Sequence, residues 1–143
     1  MIWTFFYGSW INLEILKEKD LLPLQYEVAK LHGYKIYIQP IANLIPDESS
    51  MVYGVLFSMT REKHQRILTA LMQGTMGNTY LPEAVLVETE KDKKWIPAIC
   101  YMAVPSAEAK QANPDYIDPF IKSARDWKFP ESYIKYLESF RVV

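Results

Sequence analysis

The sequence predicts an α+β fold: a small, mixed or mostly antiparallel β-barrel with flanking helices, in one domain spanning residues 1–143. Three observations carry that prediction. Apolar or alternating strand-like runs recur through the first two thirds of the chain, bounded by Gly, Pro, Asn and Ser. Helical spacing interrupts them twice, briefly after Gly8-Ser9 and again at Ile67, Leu68, Leu71 and Met72. The last third turns wholly helical.

The opening run Ile2 to Tyr7 reads as a buried strand that stops at Gly8-Ser9. Gly8 permits a tight turn and a close approach to the main chain. Ser9 is the residue expected to cap the short helix of about Asn12 to Lys17. A strand, a glycine turn and a helix start converge several amide N–H groups, which suits a carboxylate or a developing oxyanion.

Gln25 to Leu31 and Tyr34 to Ile41 alternate as strands around His32-Gly33, forming a hairpin or one bent strand. Asn43 to Ser50, with Pro46, Asp47 and two serines, reads as an exposed loop. Met51 to Phe57 is a buried strand in which Gly54 signals a bulge or a segment pressed close. Thr60 caps the helix that follows, and Gly74 and Gly77 end it. Thr79 to Thr89, interrupted near Pro82, pairs with Trp95 to Val104 through the charged turn Glu90 to Lys93. After a polar connection from Pro105 to Asn113-Pro114, Tyr116, Ile117, Phe120, Ile121 and Ala124 share one helical face. Pro130 is expected at N1 of a last helix with Tyr133, Ile134 and Leu137.

Composition narrows the function. The chain is half hydrophobic, enough for a sizeable core, and its net charge of −1 comes from interspersed acids and bases. No basic patch points to nucleic acid, and no apolar run approaches a membrane span. No basic segment precedes the N-terminal apolar run, which therefore reads as core rather than as a signal peptide. Cys100 is the only cysteine, which excludes an intramolecular disulfide and fits a reducing, cytoplasmic setting. His32 and His64 lack ligand-like partners at i+3 or i+4, so no metal site is expected.

Several stretches in order resemble one family. They are Phe6-Tyr7-Gly8-Ser9, Tyr53-Gly54-Val55, Gly74 through Tyr80, Cys100-Tyr101, Tyr116 through Ala124, and Phe129-Pro130 ahead of Tyr133 and Leu137. Together they resemble the gamma-glutamylcyclotransferase superfamily, most nearly its gamma-glutamylamine members. The resemblance implies a small barrel and the release of 5-oxoproline from a gamma-glutamyl peptide or amine, without metal or cofactor. In that scheme a carboxylate takes a proton from the substrate's α-amino group, which attacks its own γ-carbonyl; effective molarity supplies much of the rate. By position, Phe6, Tyr7, Gly8, Ser9 and Trp10 form the substrate loop, with Tyr80 beside it. The partner implied is a small molecule; monomer and homodimer both fit.

Two departures stand out. Trp10 occupies a position where the family motif usually continues with Asn. Gln73 stands before Gly74, where the family carries its catalytic Glu, and a neutral amide is no general base near pH 7. Three readings follow: an engineered Glu-to-Gln trap, a shifted alignment in which Glu83 takes the proton, or a pocket that has lost cyclisation. Glu83, flanked by Leu81, Ala84 and Val85, is expected to be desolvated enough to serve as a base.

Overall fold

The computed structural model describes residues 1–73, 79–103 and 112–141. Strands β1 (Ile2–Phe6), β2 (Gln25–Ile38), β3 (Ala42–Met59), β4 (Tyr80–Thr89) and β5 (Trp95–Ala103) close into a barrel in the order β1-β3-β2-β4-β5. All neighbours run antiparallel except β1 and β5, whose short parallel seam pairs Thr4 with Ile99 and Phe5 with Cys100. The expected mixed barrel is therefore observed. The β1–β3 contact depends on Gly54, where a Cβ would collide with the Phe6 carbonyl oxygen and the Phe5 ring. Phe5 and Phe57, both without exposed surface, fill this region, and burying each stabilises the fold by about 2–3 kcal/mol.

One alternative about the strands is decided and two expectations need correction. Residues on both sides of Gly33 belong to one strand, β2, with a register shift between His32 and Tyr34, so the bent-strand alternative is the one found. Asn43 to Ser50 is not a loop. It extends β3, with Pro46 opposite Tyr34 and Leu44 opposite Ile36. Ala42 to Pro46 pair across the turn after Ile38, while the polar turn formers Asp47 to Ser50 fall at the register shift, where the Ser49 N–H and Oγ donate to Asp47 Oδ1 at 3.0 and 2.9 Å. Nor does Pro82 interrupt β4, which keeps register with β5 from Tyr80–Ala103 to Glu88–Trp95.

Helix α1 (Leu13–Glu18) follows a one-turn 3-10 helix, Ser9–Ile11. Ser9 lies inside that turn and does not cap α1. Asn12 does so, its Oδ1 accepting the Glu14 N–H at 2.9 Å. Thr60 caps α2 (Arg61–Met72) as expected, accepting the Lys63 N–H at 3.2 Å. Gly74 and Gly77, expected to end that helix, lie outside the described residues, as do Val104 and most of the connection after it.

Asn113 caps α3 (Pro114–Asp126), which buries Ile117, Phe120, Ile121 and Ala124 as its periodicity requires. Pro130 is the N-cap of α4 (Glu131–Glu138) rather than its first residue. Two long-range hydrogen bonds pin this helical tail to the barrel: Trp127 Nε1 donates to the Ile11 carbonyl at 2.7 Å, and Tyr136 Oη to the Ile36 carbonyl at 2.8 Å. Among the described residues no helix is long and apolar enough to cross a membrane.

Candidate active site

A cavity of about 140 Å³ opens where β1 runs into the Gly8-Ser9 turn. At about 30 Å³ per water it has room for several water-sized groups. Phe6, Tyr7, Gly8, Ser9 and Trp10 line one side, and Tyr80, at the first position of β4, lines another. Six of the sequence-predicted residues are thus brought together.

Four tyrosines also line it, and their hydroxyls are committed differently. Tyr7 Oη donates to the Tyr101 carbonyl at 2.5 Å, and Tyr80 Oη donates to the Ala42 carbonyl at 2.6 Å. With their single hydrogens used, both oxygens retain only acceptor capacity. Tyr116 Oη instead accepts the Ser9 backbone N–H at 3.1 Å, and among the described residues its own hydrogen has no acceptor, which leaves it a donor. The Ser9 amide expected to stand free in the turn is therefore covered by the Tyr116 hydroxyl, which passes its polarity one atom outward. Gly8 makes this possible, since a Cβ there would lie 2.5 Å from Tyr116 Oη and 3.2 Å from the Ala42 Cβ.

All four hydroxyls stay protonated at neutral pH. Burial pushes Tyr7 well above the ordinary phenol value, with smaller contributions from Cys100 and the neighbouring tyrosines. Burial raises Tyr80 as well, and raises Tyr116 against hydrogen bonds from Ser9 and Ala42 that pull it down. Tyr101 is pushed up to about 12 by burial alone. Its hydroxyl shares a 3.0 Å hydrogen bond with Nε2 of His64 on α2.

Neither Gln73 nor the candidate base Glu83 lines the cavity. Gln73 is the exposed C-cap of α2, its N–H bonded to the Thr69 carbonyl at 3.1 Å. Glu83 sits on β4 opposite Cys100 and is exposed, not desolvated as its sequence neighbours suggest. Leu81 and Ala84 are themselves exposed, and adjacent strand residues point to opposite faces, so apolar neighbours in sequence do not enclose a carboxylate. Cys100 is buried, and its thiol is pushed up by burial first and by the Glu83 carboxylate second.

Sequence reasoning missed Tyr101, Tyr116, Leu71 and Ala42 as lining residues. Cys100-Tyr101 was legible as a motif, but nothing in it marked the side chain as facing a cavity. Tyr116 reads from its spacing as helix packing. Among the described residues, no group of three or more His, Cys, Asp or Glu is placed to hold a metal.

The AIG2-like family matches residues 51–137. No curated protein sequence matches the chain. Among solved structures, a gamma-glutamyl cyclotransferase superposes with a TM-score of 0.80 at 19% identity, covering 99% of this chain and 89% of that one. An uncharacterized protein from Homo sapiens gives 0.81 at 20% identity, with 99% and 89% coverage. A yeast gamma-glutamyl cyclotransferase specific to glutathione gives 0.59 at 15% identity, with 99% and 88% coverage. At these identities the likeness is one of fold. The chain belongs to the AIG2-like family and has the barrel of the gamma-glutamyl cyclotransferases.

Proposed function

We propose that this protein, acting as a single domain, binds a small γ-glutamyl amide or peptide and cyclises it, releasing 5-oxoproline and the free amine. The observation that carries this reading is the unequal commitment of the cavity hydroxyls. Tyr7 and Tyr80 offer acceptors, and Tyr116 offers a donor backed by the Ser9 amide. One donor and two acceptors in a neutral aromatic cage complement the carboxylate and ammonium of an amino-acid head group. Holding that head group against the turn brings the α-nitrogen within the same molecule's reach of the γ-carbonyl, so positioning supplies most of the rate. The lone buried thiol of Cys100 suits a reducing, cytoplasmic setting.

Gln73 favours a second reading, a binding module that keeps the cavity and has lost the chemistry. The test is 5-oxoproline release from a panel of γ-glutamyl dipeptides and amines, using the protein as given beside Gln73→Glu and Glu83→Gln. Steady release from the unmodified protein supports the enzyme. Binding without release, converted to release by Gln73→Glu, establishes the binding module instead.

A further inference from the structure

We propose that His64 is the proton acceptor serving this cavity, reached through the hydroxyl of Tyr101. The inference rests on the cyclotransferase reading and addresses its missing part. Cyclisation needs a base, Gln73 carries none, and Glu83 stands exposed outside the lining. Tyr101 lines the cavity and joins it to an imidazole on α2 by one 3.0 Å hydrogen bond.

His64 suits the role. It is half-buried, and the ion pairs among the described residues do not include it. Among the described residues, the titratable groups facing it are Tyr101 from β5 and Arg61 from its own helix. Burial first, and the Arg61 charge second, hold the imidazole below its ordinary value, so it is neutral at pH 7. Neutral Nε2 accepts the Tyr101 hydroxyl hydrogen when Nδ1 carries the ring proton. The Tyr101 hydroxyl, itself pushed up to about 12, is a poor base alone and a good conduit when an acceptor stands behind it.

The transfer balances. A proton of the substrate α-ammonium passes to Tyr101 Oη as the hydroxyl proton passes to His64 Nε2. The freed nitrogen lone pair forms the ring bond to the γ-carbonyl carbon. The imidazolium then returns its proton through Tyr101 to the departing amine nitrogen as the γ C–N bond breaks, and the second proton of the ring nitrogen follows through the same relay, so the amine leaves as its ammonium ion and the lactam nitrogen keeps one hydrogen. Enzyme groups end as they began.

The experiment is the pH dependence of 5-oxoproline release by the unmodified protein, His64→Gln, Tyr101→Phe, Glu83→Gln, and His64→Ala with and without added imidazole. Circular dichroism and melting curves check that each variant is folded. His64→Gln is expected to lower kcat on the order of 100-fold with KM nearly unchanged. It should also abolish the fall in kcat that the unmodified protein shows as pH drops through the His64 pKa, and imidazole should restore part of the His64→Ala loss. Tyr101→Phe should match His64→Gln, and combining the two should add little. Release that ignores His64→Gln, or that is abolished only by Glu83→Gln, overturns the relay alone. No release from the unmodified protein overturns the cyclotransferase reading together with the relay.

Discussion

Asn43 and the backbone of Ala103 bind each other twice: Asn43 Nδ2 donates to the Ala103 carbonyl at 2.8 Å, and Asn43 Oδ1 accepts the Ala103 N–H at 2.9 Å. A side-chain amide thus pairs the end of β5 in the way a neighbouring strand would. Asn43 is 4% exposed and also donates to Tyr37 Oη, so its role is structural and not the solvent-facing one its loop-like sequence suggests.

Replacing Asn43 by Ala strands both polar groups of Ala103 in a buried place, at about 1–3 kcal/mol each. Asn43→Ala is therefore expected to lose roughly 3 kcal/mol in urea unfolding. A loss below about 0.5 kcal/mol would show that water replaces the amide there.

Gly8→Ala puts a methyl into the hydroxyl of the half-buried Tyr116, which would have to leave its place on the Ser9 amide. Ligand affinity should fall on the order of tenfold or more, since the donor is displaced from its seat on Ser9. Adding Tyr116→Phe removes the clashing oxygen and should recover folding stability without recovering affinity. Calorimetry for stability and equilibrium binding of a γ-glutamyl amine separate the two effects.

His64 makes stability depend on pH with a definite sign. Its folded pKa lies below the ordinary 6.5, so the folded chain takes up fewer protons than the unfolded one between those values. The stabilisation is fully present above 6.5 and is lost as pH falls through the folded pKa. Urea midpoints measured at about pH 7.5 and about pH 5 should differ more in the unmodified protein than in His64→Gln. Equal differences would mean that His64 titrates alike folded and unfolded.

Cys100 is buried at the β1–β5 seam, with its thiol raised by burial and by Glu83. Little thiolate is present and nothing can reach it. Iodoacetamide at mildly alkaline pH should label the protein only after denaturation. Rapid labelling of the native protein would require the seam to open readily.

Features set by local spacing were legible: the apolar run Met51–Phe57, the Thr60-capped helix, the charged turn after Thr89, and the faces of α3 and α4. Distant partners hid the rest. Ile45 and Pro46 look like a loop until Lys35 and Tyr34 are known to lie opposite them, and Asp47 to Ser50 fall where the register shifts between His32 and Tyr34. The site divided in the same way. Tyr7 to Trp10 and Tyr80 stand in recognisable motifs, whereas Tyr101 and Tyr116 join them through hydrogen bonds between residues 94 and 107 positions apart. Glu83 misled because its sequence neighbours are apolar, while a strand aims alternate side chains in opposite directions.

The parallel seam between β1 and β5 also governs how the protein can be made. Thr4 and Phe5 leave the ribosome well before their partners Ile99 and Cys100, which follow only after β2, β3 and β4 have been synthesised. Until then the nascent chain holds an open, curled sheet with an unpaired strand edge, a form exposed to wrong pairing. Completion of the barrel and completion of the tyrosine cage coincide, because Tyr7 and Tyr101 meet across that same seam.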